Sequence, residues 1–226
     1  MTSRWKITIV YDSNGLPGFE KGWGFSALLK SSQTMVLFDC GWDGQLLCRN
    51  LNRLGVDIGK IDRVIISHNH WDHIGGLTGI LMDADCERLE VVLPDSISKN
   101  FRKEICQRAR TRIVSDSEEI VDGIYTTGVL GEGVKEQSLV IKSENAGAVI
   151  SGCAHPGLLN ILKAARRITE PNWLIGGFHG VLNPEDVPSS VEHIVPCHCT
   201  EGREALSKAM GDMVVNGAAG MTFDIL

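Results

Sequence analysis

Apolar residues recur along this chain in two rhythms, short β-branched runs and longer segments with helical spacing. Residues 5–11 alternate apolar and polar and predict a half-buried strand. Residues 12–22 form a loop rich in Gly, Pro and Asn, readable as a plain connection or as a substrate-facing segment. Residues 24–29 and 34–39 predict two strands paired as a hairpin, and 45–54 an amphipathic helix closed by Gly55. Val64-Ile65-Ile66 ends a buried strand at Ser67, and after a turn the paired glycines Gly75 and Gly76 open a helix over 76–83. Downstream, 89–93 predicts a strand and 95–110 a charged amphipathic helix. Short strands over 112–114 and 123–127 flank a solvated turn at 115–119. Residues 137–142 and 148–151 predict a second hairpin, followed by a helix over 158–168 and strands at 173–176 and 193–195. Thr200 is placed to cap a last helix over 201–210.

The turns after these strands carry the chemistry. Ser67-His68-Asn69-His70-Trp71-Asp72-His73 sets three imidazoles and a carboxylate on one turn beyond a strand, donors that suit a borderline divalent ion such as zinc. His68 and His70 could reach one ion, and Asp72 and His73, facing differently, a second beside it. Later strand ends offer Cys153 and His155, then His179, then His198. Asp39, an acid ending an apolar run, reads either as a turn cap or as a carboxylate that fixes the tautomer of a ligand histidine. The repeated unit of strand, Gly/Pro turn with histidine, and helix predicts an α/β fold, specifically an α+β four-layer αββα sandwich. With no internal repeat or linker, residues 1–226 are expected to form a single domain.

Composition narrows the classes. A net charge of −6 gives no basic footprint, so nucleic acid is not expected as a partner. No apolar run is long enough to span a bilayer, so no membrane partner is expected. The seven cysteines are odd in number and scattered, and the opening Met-Thr-Ser-Arg-Trp-Lys lacks a signal peptide's apolar core. A reduced, cytoplasmic chain is the expectation. Cys197 and Cys199 read as small buried thiols packed beside His198 rather than as ligands or a redox pair. Nothing in these totals speaks to oligomeric state.

The His-x-His-x-Asp-His stretch at 68–73 resembles the signature of the metallo-β-lactamase-fold superfamily, and the ordered spread of later histidines extends the likeness over nearly the whole chain. Ser-Gly-Cys-Ala-His-Pro-Gly at 151–157, Gly-Gly-Phe-His at 176–179 and Pro-Cys-His-Cys-Thr-Glu-Gly at 196–202 resemble a narrower branch, the dihydropterin ribofuranosylaminobenzene phosphate synthase-like metal-dependent hydrolases. The resemblance implies a metallo-β-lactamase-like fold with a dinuclear centre. His68, His70 and His155 would hold the first ion, and Asp72, His73 and His198 the second. It also implies a supporting role for Asp39 and a substrate that is pterin-linked and phosphate-bearing. The superfamily's usual third histidine has no match in Gly131-Glu132-Gly133-Val134-Lys135-Glu136, and Cys153 best matches the fourth motif. His155 therefore replaces the missing ligand, or Glu132 or Glu136 does, with Cys153 a supporting partner or alternative ligand. His179 reads as a catalytic acid, a substrate donor or an extra ligand.

Two divalent ions, zinc before iron or manganese, would lower the pKa of water enough to supply a nucleophile at neutral pH. The expected reaction is hydrolysis of an ester or phosphoester bond in a small cytoplasmic metabolite, with Asp72 orienting the nucleophile. The alternatives are an iron-dependent oxidoreductase or thiol dioxygenase of the same fold, and a non-catalytic metal-binding sensor. A phosphate is expected at the helix end near Gly75-Gly76, and residues 83–135 are expected to overhang the site.

Overall fold

The computed structural model describes residues 4–225. Two sheets pack face to face with helices on their outer surfaces, the expected αββα order. The first sheet contains β1 (Trp5–Tyr11), β2 (Ser26–Lys30), β3 (Met35–Phe38), β4 (Arg63–Ile65), β5 (Glu90–Pro94), β6 (Arg110–Val114) and β15 (Thr222–Ile225). Its order is β15-β1-β2-β3-β4-β5-β6, antiparallel from β15 to β3 and parallel from β3 to β6. The second contains β7 (Glu118–Val121), β8 (Ile124–Thr126), β9 (Leu139–Lys142), β10 (Gly147–Ser151), β11 (Trp173–Gly177) and β13 (His193–Cys197). Its order is β13-β11-β10-β9-β8-β7, with β10, β11 and β13 parallel.

The apolar alternation sorts side chains between layers. In β3, Val36 and Phe38 enter the core between the sheets, where Ile65, Leu139 and Ile150 meet them. Leu37 points the other way, against α1 (Gly44–Arg53) and α3 (Leu77–Asp83) through Leu47, Leu51 and Ile80. On the far side, Val149 and Leu174 lie under α5 (Leu158–Ala165) and α6 (Arg203–Met210), which contribute Ile161 and Leu206. Burying each such side chain contributes about 1.5–3 kcal/mol.

Several elements differ from the expected bounds. The helix expected over 95–110 is α4 (Lys99–Cys106), because Asp95 and Ile97 turn off β5 and Ser98 caps from outside, its Oγ accepting from Phe101 N at 3.2 Å. The turn expected at 115–119 gives up Glu118 and Glu119 to edge strand β7, where one solvated face tolerates charge. Thr200 does not cap α6: Gly202 stands at that position with φ 61°, and the Thr200 hydroxyl accepts from Phe178 N at 2.9 Å. Thr200 lies in β14 (Thr200–Glu201), which pairs with β12 (Gly180–Val181) and ties two strand-end loops together.

Candidate metal centre

The loops after β3, β4, β10, β11 and β13 meet at one rim. Asp39, Ala154 and His198 have φ of 57°, 58° and 47° there, the left-handed region that L-residues enter at a cost of about 1–2 kcal/mol. Gly24, with φ 136°, lets its backbone approach so closely that a Cβ would sit 2.4 Å from the Asp72 carbonyl oxygen.

Asp39 is fully buried and organises the first turn. Its carboxylate accepts from Ser67 N at 2.7 Å and Ser67 Oγ at 2.6 Å, and lies 2.6 Å from His73 Nδ1. Ser67 Oγ has one proton and gives it to Asp39, so at its 2.8 Å contact with His68 Nδ1 it must accept. His68 therefore carries its proton on Nδ1 and turns a bare Nε2 inward. That Nε2 is buried without a hydrogen-bond partner. Burial first, then the neighbouring His73, His155, His70 and His198, holds His68 far below the usual imidazole range. Burial opposes the charge of His73, but Asp39, Asp72 and Glu136 together outweigh it and push His73 up.

The other donors converge on this turn. His68, His70 and His155 form one group, and Asp72, His73 and His198 another, with ligand atoms inside each within 4.8 Å of one another. His155 Nε2 lies 3.3 Å from His70 Nδ1, and His198 Nε2 lies 3.1 Å from Asp72 Oδ2. Tetrahedral zinc with bonds of about 2.0–2.1 Å sets its ligand atoms roughly 3.3 Å apart, so these separations fit a shared ion. Both ring nitrogens of His198 are buried without a hydrogen-bond partner despite the near approach of Asp72, which suits co-ligands more than a bonded pair. Burial raises the Asp72 carboxyl, but His198 and His73 outweigh it and keep it well below the ordinary carboxylate range. His155 is lowered to about 4 by burial and by repulsion from His70 and His179.

Buried acids hold the outer donors in place. Glu136 Oε1 accepts from the N–H groups of Gly152, Cys153 and Ala154 and from Ser151 Oγ, and its Oε2 accepts from His155 N at 3.0 Å. That use commits the carboxylate to the loop that carries His155; Glu136 joins none of the donor groups among the described residues, and its Oε2 lies 4.0 Å from His68 Nδ1. Glu132 is exposed and joins none of the donor groups among the described residues. Asp12, at the end of β1, is also fully buried; it accepts from His198 N, and Arg203 lies 3.7 Å from its other oxygen. The loop it opens therefore supports His198 through its first residue.

Cys153 Sγ lies 3.1 Å from His73 Nε2 and grouped with His198 and Cys199. Its hydrogen bond with Cys199, with burial, pushes Cys153 up, and the same bond draws Cys199 down against its own burial. Cys199 thus faces the donors, whereas Cys197 is buried with Sγ 3.4 Å from the Val195 carbonyl. His179 is exposed at the rim, its ring 4.8 Å from that of His155. Trp23 lies edge-on to His198 at 4.7 Å and is 57% exposed. Gly76 precedes α3 and is tightly packed: a Cβ there would sit 2.0 Å from the Cys40 carbonyl, and its N–H donates to Gly41 O. Its neighbouring helix, α2 (Trp71–Ile74), is a single turn.

An αββα sandwich with imidazoles and a carboxylate gathered on one rim defines the class of metal-dependent hydrolases. The chain belongs to the metallo-beta-lactamase superfamily, whose family model matches residues 24–192. It is 26% identical to the 7,8-dihydropterin-6-methyl-4-(beta-D-ribofuranosyl)-aminobenzene-5'-phosphate synthase of Methanocaldococcus jannaschii, over 73% of this chain and 75% of that protein. It is also 26% identical to the uncharacterized protein MJ0448 of the same organism, over 89% of this chain and 93% of the relative. Among solved structures it is similar to Tm1679, a metal-dependent hydrolase of the beta-lactamase superfamily, with a TM-score of 0.76 and 26% identity over 98% of this chain and 99% of that one. Among the described residues no helix is long and apolar enough to cross a membrane.

Proposed function

We propose that this protein uses two divalent ions, zinc before iron or manganese, to hydrolyse an ester or phosphoester bond in a small metabolite. His68, His70 and His155 would hold one ion and Asp72, His73 and His198 the other, and the closeness of donor atoms within each triad carries the reading. Ions held by such nitrogen and carboxylate donors act as Lewis acids and bring the pKa of water toward neutrality. The Ser67–Asp39 relay keeps the inward nitrogens of His68 and His73 free to ligate. Asp72, only partly buried, ligates and orients the attacking water. His179, exposed beside His155, donates a proton or hydrogen bond to the departing group. Cys153, next to His73, supports the second triad or joins it.

The name of the synthase relative points to a pterin-linked, phosphate-bearing metabolite. Seven cysteines without a disulfide suit a reducing cytoplasm. The test is elemental analysis together with turnover of bis(p-nitrophenyl) phosphate for the wild type, His70→Ala and Asp72→Ala. Both variants should lose metal and turnover together; either one keeping full metal and full turnover would overturn the proposal.

A further inference from the structure

We propose that the cavity beside His70 is an anion subsite that receives a phosphate monoester group of the substrate, remote from the bond that is cleaved. The orientation of that substrate rests on the hydrolase reading above; the subsite itself rests on the cavity's own chemistry. The cavity has a volume of about 570 Å³ and is lined by Asn69, His70, Ser96, Gly133, Val134 and Lys135. No carboxylate lines it. Lys135 has no ion-pair partner among the described residues, because the adjacent Glu136 is turned inward onto the 152–155 backbone. Ser96 lies in the same wall, but its hydroxyl is shielded from solvent and turns away from the open space. Asn69 adds an amide whose side chain makes no hydrogen bond to another described residue. An ammonium, an amide and the edge of an imidazole around one space match the oxygens of a phosphate.

Position favours the same occupant. His70 belongs both to this wall and to the first donor triad, so a ligand filling the cavity reaches the centre. The volume falls within the usual range for small-molecule sites, about 300–1,000 Å³, and holds a phosphate with the sugar that bears it. The loop is also held in place. Leu130 and Glu136 exchange backbone hydrogen bonds at 2.9 and 3.0 Å, and Gln137 ties the next residue to Ile66 O and Ser67 O. The backbone around Lys135 is thereby held beside the strand end that carries His68 and His70. Among the cations without an ion pair, Lys135 stands out by lining the cavity that reaches His70, and on a chain of net charge −6 it favours an anion there.

The test is calorimetric titration of the metal-loaded protein with ribose 5-phosphate and with ribose, for the wild type, Lys135→Met and Lys135→Arg, with metal content measured on each. Ribose 5-phosphate should bind the wild type more tightly than ribose does. Lys135→Met should weaken it about tenfold or more, with metal content unchanged and Lys135→Arg restoring most of the loss. Equal binding of ribose 5-phosphate to the wild type and to Lys135→Met would place the phosphate elsewhere and overturn the subsite, as would equal binding of the two sugars by the wild type. Binding is read as heat, so a wild type without turnover defeats the hydrolase reading while a Lys135-dependent affinity still upholds the subsite.

Discussion

Replacing Glu136 by Gln keeps the side-chain shape and changes only its charge and one acceptor. In the native protein one carboxylate oxygen serves Gly152, Cys153 and Ala154 N–H and the Ser151 hydroxyl, and the other serves His155 N–H. A glutamine places an NH₂ against one of these donors, removing a bond to a charged acceptor worth about 1.5–3 kcal/mol. The surviving bonds change from charge-assisted to neutral and lose roughly half their strength. Relief of burial offsets part of this, since burial pushes the Glu136 carboxyl up despite the N–H groups of His155, Cys153 and Ala154 and the charge of His73. A net loss of about 3 kcal/mol follows, equivalent to a melting temperature lowered by roughly 6–12 °C in a chain of this size. Thermal melts of the metal-loaded variant by circular dichroism would show it, together with reduced metal content because His155 rides on the loosened loop. Glu132→Gln, an exposed change in the same loop, is the control. A Glu136→Gln protein that melts within about 2 °C of the wild type and holds its full metal would refute the reasoning.

Other perturbations probe the rest of the rim. Asp39→Asn should destabilise by about 2–4 kcal/mol and weaken metal binding about 10–100-fold, measured by urea denaturation and chelator competition, because three buried donors converge on that carboxylate. Gly24→Ala should cost at least about 2 kcal/mol and depress turnover, since the new Cβ would lie 2.4 Å from Asp72 O at a φ of 136°. The metal-free protein should lose stability as pH falls from 6.5 toward 4: His155 titrates at 6.5 unfolded but at about 4 folded, and His68 lower still, so the unfolded chain takes up more protons in that window. His73, raised by nearby carboxylates, acts oppositely but only above 6.5, and Glu136 and Asp12, raised by burial, offset part of the loss at the acid end of the window. Urea midpoints of the chelated protein that stay flat across that acid window would contradict this sign.

The strands and the His68–His73 turn were legible because their apolar runs end abruptly in polar, turn-forming residues. Asp39 was readable for the same reason. Asp12 carries an identical mark, an acid directly after the apolar alternation of β1, and attention to that parallel finds it. Glu136 had no such mark; it is one of several charged residues in a glycine-rich loop, and only the tertiary approach of the 152–155 backbone gives it a role. Edge strand β7 was hidden by its two glutamates, which a strand with one wet face accommodates. Cys199 read as packing because adjacency to Cys197 says nothing of direction: the two residues lie on either side of a left-handed His198, and one thiol turns to the core while the other turns to the donors. The division of histidines into two triads came from family likeness, since spacing alone cannot say which distant strand ends meet.

Four of the six triad donors, His68, His70, Asp72 and His73, follow a strand of one sheet, while His155 and His198 follow strands of the other. Each triad therefore straddles the seam of the sandwich, and a cation in either one rivets the two halves of the molecule together. Chelation then does more than silence a reaction centre. It would loosen the rim while the apolar core still joins the halves, so protease attack along that seam would become a gauge of cation occupancy.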